Sequence, residues 1–582
     1  MRKSIRLSTL PVMRAGSTRN KIIIIKSGGL HIIAVRRRME QGNSNMQFIV
    51  PVSDINNPLI LPDEVKIVDE NYQIWYYDNE LLPPLSLRNY LYPNIPKCLR
   101  LCDNLAGTGI INLQNQPNLQ LKGRGVAVAI IDTGINYMDS AFTDEYGNSR
   151  ILFYYDQETG QEYTNADIDN ANRTNESGRS DVVIPQDTNG HGTFLASVAC
   201  GREDPVNGFV GAAPEASLIV VKLKPADSEL RQFFFIPDNE EGIYAESDIM
   251  LAVSYCERKA AELKLPLAIC LGMGTNNGNH NGNGFLCNYL NSVAADLMHA
   301  VVIAAGNEAL AKHHFRGRAQ SVLEPERVEI DLDNDSEGFY LECWCQAPEL
   351  VRLSIQSPTG EIWPRSMDSG YDSMEHVFIF ENTTVSIDYN YTGRQTRDLI
   401  IFVRFTKPTK GIWTLRVFPE YSITGIYDIW LPANGMLKEN AVFIRSDPDI
   451  TLTSPSDAAV PITVGGYNNG NNSVYLDSGR GFKAGGGYKP DFVASAVEIM
   501  GKELNGSYGT RTGTSMAAAI TTGASAQILE WLAYRRNAQG ANSVDVKYFI
   551  TRGCVRREGQ VYPSRTEGYG VLNIYNSFQN LF

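Results

Sequence analysis

Apolar and polar positions fall into distinct rhythms along this chain of 582 residues. Residues 126–131 (VAVAII), 216–223 (ASLIVVKL), 267–271 (LAICL) and 300–303 (AVVI) are short, nearly unbroken apolar runs. Runs of that length predict strands of a parallel sheet covered on both faces. Residues 247–263 repeat apolar side chains at Ile249, Val253 and Ala260, the spacing of a helix lying on such a sheet. From 321 to 434 helical periodicity disappears. There RVEIDL, VRLSI, LIIFVRF and IWTLRVF read as strands between Gly, Pro and Asn turns, the signature of a β-sandwich or jelly roll. Residues 47–79 also contain strand-like runs (QFIVPV, YQIWYY) and are followed by a proline-rich linker at 81–87. The polar stretch 156–178 reads as a long surface loop.

Length suggests about two to four domains. A composition 43% hydrophobic and 10% aromatic is that of a globular chain with a large core. A net charge of −13 argues against general nucleic-acid binding, which needs a surplus of Lys and Arg. No apolar run approaches the length of a membrane span. Nine cysteines without paired spacing give no disulfide framework and point to a reducing interior. Residues 1–38 carry ten Lys and Arg and no acid. They contain no convincing signal-peptide core, which leaves two readings: a basic arm, or a mis-called start upstream of Met39 or Met46.

Three polar residues stand out from this frame. Asp132 ends its apolar run, at the carboxyl end of a strand where open α/β sheets place their chemistry. His191 lies between Gly190 and Gly192 in 187–198 (DTNGHGTFLASV), before a helix of small residues. Ser515 lies in 511–518 (RTGTSMAA), at the start of an Ala-rich helix. Alone, that serine is most simply a cap on an orphan backbone N–H. A strand-end acid and a glycine-flanked histidine upstream make a nucleophile the better reading.

The order Asp132, His191, Ser515 and these motifs resemble the subtilisin-like serine proteases, or subtilases. Residues 304–307 (AAGN) match the segment that supplies that family's oxyanion-hole asparagine, here Asn307. The resemblance covers about 119–576 apart from one large insertion, and 460–467 and 489–494 lie where subtilases have further strands. It departs in one place: proline usually follows Ser-Met-Ala closely, whereas Ala518 and Ala519 continue here. The jelly-roll insertion and N-terminal region resemble the clostridial Csp germination protease branch.

The implied fold is α/β: a subtilisin-like parallel sheet flanked by helices, an inserted all-β jelly roll and a small prodomain-like α+β region. The expected division is 1–45 (arm or mis-called start), 46–87 (prodomain-like), 88–320 (core), 321–434 (jelly roll) and 435–582 (core). Residues 95–120 would wrap the core, and a prodomain would lie with its last strand in the cleft. The implied activity is serine endopeptidase. His191 takes the Ser515 proton, Asp132 fixes the imidazole, and Asn307 with the Ser515 N–H holds the oxyanion. Leu271, Gly272, Met273, Ala305 and Gly306 would bind substrate, the first three by strand addition. Activity should rise with pH through about 6 to 8, because neutral His is the working form.

Partners would be a protein or peptide substrate and the chain's own prodomain, cut between about 72 and 87. Limited proteolysis in spore germination, in a bacterial cytoplasm or spore, is the implied setting. The alternative is a subtilase-fold binding or signalling protein with an occluded cleft. No cofactor or catalytic metal is required. Structural calcium is not indicated, since the acids of 156–178 lack EF-hand spacing. Cys343 with Cys345, and His280 in its Asn/Gly-rich run, are weak metal candidates beside core packing and turn chemistry.

Overall fold

The computed structural model describes residues 20–27, 30–37, 45–54, 62–78, 82–86, 89–90, 94–101, 110, 114–116, 119–175, 184–364, 373–391, 397–535 and 540–579. Residues 1–19 of the basic stretch lie outside them. The chain divides into two compact units, 1–83 and 84–582. In the first, Asn45–Pro51, Tyr72–Asp78 and Glu64–Ile67 form an antiparallel sheet with Tyr72–Asp78 in the middle. Its register sets Ile49 opposite Ile74, and both are fully buried. A separate antiparallel pair joins Asn20–Ser27 to Leu30–Arg37.

The second unit is built on a sheet of parallel strands: β1 (Ala127–Asp132), β2 (Ile151–Asp156), β3 (Ser217–Lys222), β4 (Leu267–Leu271), β5 (His299–Ala304), β6 (Ile462–Asn468) and β7 (Phe492–Ser495). The order is β2-β3-β1-β4-β5-β6, with β7 also on β6. Every residue of β1 and β4 is buried, as strands covered on both faces require. Three helices matter for the site: α1 (His191–Cys200), α2 (Glu246–Leu263) and α3 (Thr514–Leu529). All sixteen residues of α3 are buried, so this helix is an internal pillar rather than an amphipathic cover. Its small side chains permit that: a Cβ on Gly523 would come within 2.3 Å of Ala212 Cβ.

One expectation is corrected. The polar stretch after β2 is not simply a loop but contains the strand Gln161–Thr164 and the helix Asn165–Asn175. Thr164 and Asp167 start that helix, Asp167 accepting from Thr164 N and Oγ1 at 2.8 and 2.6 Å. Ile168 and Ala171 are its buried contacts, too few to show as an apolar period.

The insertion forms two antiparallel sheets that reach beyond the expected 321–434 by one strand at each end, His314–Arg318 and Ala441–Phe443. One orders His314–Arg318, Ile426–Trp430, Gly338–Cys345, Leu399–Thr406, Thr383–Tyr391 and Met374–Phe378; the other orders Ile362–Trp363, Leu350–Gln356, Gly411–Tyr421, Glu326–Leu332 and Ala441–Phe443. Alternate residues of Glu326–Leu332 face inwards, matching the sequence alternation. Gly338–Cys345 is buried along its whole length because both faces are covered. One face contributes Phe339, stacked on Phe405 at 4.4 Å, to the sandwich core. The other presents Tyr340, which stacks on Phe402 at 5.3 Å and meets Phe234 of the core at 5.2 Å. The jelly roll is therefore docked onto the core rather than tethered to it.

Candidate active site

The carboxyl ends of the central strands bring the candidate residues together. Asp132 ends β1 and accepts from His191, with Nδ1 2.8 Å from each carboxylate oxygen. Both residues are completely buried, as is Ser515. Their approach depends on Gly192. A Cβ there would fall 2.1 Å from Gly134 O and 3.1 Å from Asp132 Cβ, so only glycine lets α1 start against the end of β1. Gly190 precedes the helix with φ of +91°, a left-handed conformation that glycine adopts without strain.

Asp187 holds this turn in place and was not singled out by sequence. Its Oδ1 accepts from the Asn189 and Gly190 N–H groups at 3.0 and 2.9 Å, and its Oδ2 from Thr193 N and Oγ1 at 3.0 and 2.7 Å. Thr133 Oγ1 accepts from Gly192 N at 2.9 Å, tying α1 to the strand end. The only sequence signal for these roles was proximity to the motifs, because Asp and Thr are common in turns for other reasons.

Ser515 is the second residue of α3, where a backbone N–H has no partner within the helix. Its Oγ is buried and has no hydrogen-bond partner among the described residues. Gly272 lies against it: a Cβ on Gly272 would be 3.1 Å from Ser515 Cβ and 3.4 Å from His191 Cε1. One glycine thus touches both candidate nucleophile and candidate base. Asn307 comes from the turn after β5. Its Oδ1 accepts from Thr514 N and Oγ1, each at 3.1 Å, fixing the amide beside the start of α3. Gly306 N donates to Thr514 Oγ1 at 3.1 Å, and Ala305 is held between β6 and Thr453 through Val464 O and Thr453 N, each at 3.0 Å. Cys270 on β4 is no rival nucleophile, because burial pushes its thiol up to about 12.

The expected substrate edge is occupied by the chain itself. Leu271 ends β4, while Met273 and Gly274 pair antiparallel with Leu101 and Arg100. On its other side Cys98–Leu101 pairs antiparallel with Ile243–Ala245. Cys98–Leu101 is therefore the middle strand of a three-stranded sheet. A cavity of about 350 Å³ adjoins it, bounded by Arg100, Leu101, Gly274, Asn307 and Thr453. The sequence places 95–120 around the core, and the structure adds that Cys98–Leu101 within it forms a strand on this edge.

The weaker metal candidates are otherwise engaged. Cys343 and Cys345 lie in the jelly-roll core, and both ring nitrogens of His280 meet backbone carbonyls, of Leu452 at 2.7 Å and Asn276 at 2.9 Å. Among the described residues one trio, Glu257, Asp296 and His299, brings possible ligand atoms within 4.8 Å of one another, on residues separate from the triad. No helix among the described residues is long and apolar enough to cross a membrane.

Comparison with known proteins agrees with this architecture. The profile of the subtilase family (peptidase S8) matches residues 123–329 and 431–570, leaving most of the jelly roll between its two parts. An intracellular serine protease of Paenibacillus polymyxa is 36% identical over 104 residues, 18% of this chain and 25% of that protein. The match thus spans about a quarter of that relative's length. The solved structure of the Clostridium perfringens CspB protease superposes with a TM-score of 0.73 and 26% identity, over 81% of this chain and 96% of that one. With the profile on both sides of the insertion and CspB aligned through most of the chain, the protein belongs to the subtilase family of serine proteases, on its Csp-like branch.

Proposed function

We propose that the protein is a serine endopeptidase that cuts its own chain shortly after Leu101. The observation that carries this reading is Gly272 lying against both Ser515 and His191 while the next residues of the same edge hold Leu101 and Arg100. In the proposed reaction, Ser515 Oγ attacks the peptide carbonyl carbon and its proton passes to His191 Nε2. Collapse of the tetrahedral intermediate breaks the C–N bond, and the same proton goes to the leaving amine. Water then repeats the sequence on the acyl-enzyme, releasing the acid and restoring Ser515. Asp132 keeps the imidazole oriented and offsets its positive charge, while Asn307 and the Ser515 N–H stabilise the oxyanion. This reading puts the cut downstream of the 72–87 interval expected from the sequence, and the pairing of Leu101 with Met273 supports it.

Limited proteolysis of a second protein, as in spore germination, is the proposed physiological use, supported by the likeness to CspB. A second reading has its own support. Asp132, His191 and Ser515 are all fully buried beneath an edge already filled by the chain, as in a binding protein with a closed cleft. Labelling with a fluorophosphonate, which phosphonylates an activated serine and expels fluoride, separates the two. Wild type should be labelled and Ser515→Ala should not. A wild-type chain that stays whole and takes no label would instead support the closed-cleft reading.

A further inference from the structure

Away from the cleft, where the chain enters β5, three side chains converge that the proposed reaction does not use. Glu257 lies on α2, Asp296 follows the helix Phe285–Ala295, and His299 opens β5. One oxygen of each carboxylate and one ring nitrogen all lie within 4.8 Å of one another. β5 is six residues long and Asn307 follows its other end. At about 3.3 Å per residue, the trio is therefore roughly 20 Å from the oxyanion side of the candidate active site.

Each side chain is set up as a ligand needs to be. His299 Nδ1 lies 3.3 Å from Val293 O, a contact that keeps the ring proton on Nδ1 and leaves the lone pair on Nε2. Burial pulls this imidazole below its ordinary value against the opposing charge of Asp296, so the ring is neutral at pH 7. Tyr289 OH donates to Glu257 Oε2 at 2.8 Å, and Tyr289 is itself buried, so a fixed side chain aims that carboxylate. Among the described residues, no hydrogen-bond donor reaches His299 Nε2 or the Asp296 carboxylate. Acceptors from three elements thus face one another, and two of them lack a described donor.

We infer that Glu257, Asp296 and His299 form a binding site for a divalent transition-metal ion such as zinc, with water completing a four-coordinate shell. One imidazole beside two carboxylates suits zinc better than calcium or magnesium, which favour shells of oxygen alone. Zinc holds such ligands at about 2.0–2.2 Å, which sets the ligand atoms about 3.4 Å apart. Asp296 is exposed and the other two are half-buried, so side-chain rotation supplies the remaining approach. An ion there ties α2 and the helix Phe285–Ala295 to the start of β5, remote from Ser515. It adds stability and takes no part in peptide-bond chemistry, and the inference stands whether or not the chain cuts itself.

Untagged full-length Ser515→Ala, stripped with EDTA and dialysed, gives the test. Calorimetric titration should show one equivalent of Zn²⁺ bound, and a hundredfold excess over Kd should raise the unfolding temperature by about 2–4 °C. Co²⁺ in its place should give the visible d–d bands of a four-coordinate site, without the charge-transfer band of a thiolate. Adding His299→Ala should abolish both signals while leaving the unfolding temperature in EDTA near that of the parent. Asp296→Asn, on an exposed side chain, provides the same reading should His299→Ala fold poorly. Tyr289→Phe should weaken Zn²⁺ binding by about tenfold, as loss of a partner that orients a ligand does. A parent chain with no zinc-dependent shift, a thiolate band with Co²⁺, or signals unchanged by His299→Ala and Asp296→Asn overturns the site.

Discussion

Asn307 and Asp187 show how differently two polar residues can serve one site. Asn307 is anchored through its Oδ1 on Thr514, which in the proposed reaction would hold the amide beside the oxyanion formed at Ser515. Asn307→Ala should lower kcat by about 10²–10³ with little change in KM, because the interaction strengthens only as charge develops. Asp187 is a positioning residue: it acts on substrate only through the turn that presents His191. Asp187→Ala should lower kcat/KM by about tenfold to hundredfold by letting the imidazole drift. Asp187→Asn, which keeps a carbonyl oxygen for the backbone N–H groups, should recover much of it. Steady-state kinetics on a cleaved peptide reads both. The grouping of Asp132, His191, Ser515 and Asn307 was legible in the sequence because each lies within two residues of a glycine that borders an apolar run or a small-residue helix. Asp187 was not, because an acid before Thr-Asn-Gly serves equally well as a turn former.

Secondary elements meet at the site with little tolerance. Gly192→Ala would drive a methyl group to 2.1 Å from Gly134 O, so α1 must part from β1. The variant should take no fluorophosphonate and unfold at lower temperature; wild-type labelling would contradict the close approach. The turn after β5 is tied to the insertion through Glu308, which accepts from Asn434 N at 3.0 Å, Asn276 Nδ2 at 3.0 Å and His313 Nδ1 at 2.9 Å. Burial raises this carboxyl, but those hydrogen bonds and the nearby His313 charge together hold it below its ordinary value. A carboxyl depressed on folding adds stability above its unfolded pKa, and that stability fades as pH falls through the folded value. Glu308→Gln should therefore cost about 1–3 kcal/mol at pH 7 in denaturant unfolding, with the gap to wild type closing below about pH 4.5. A gap unchanged by acid would contradict the ionised role. The core strands and the alternating jelly-roll strands could be read from periodicity. The helix Asn165–Asn175 could not, since its buried face is so small. Nor could Cys98–Leu101, whose four residues take their order from two outside edges.

The molecule as a whole joins a family scaffold to two additions, an N-terminal unit and a jelly roll docked on the core. The jelly roll contacts the core through the rings of Tyr340 and Phe234 and through Glu342, and Glu308 ties its return to the turn that carries Asn307. Cys98–Leu101 fills the edge where a substrate would add a strand, so the buried triad has its own chain as the nearest peptide. Whether that strand is a first substrate or a permanent cover determines everything downstream. Intact mass and N-terminal sequencing of purified wild type beside Ser515→Ala answer this most directly. If the protein is the self-cutting peptidase proposed, wild type yields a new N-terminus shortly after Leu101 and Ser515→Ala remains whole. A wild-type chain uncut there, or a Ser515→Ala chain cut at the same bond, would contradict it.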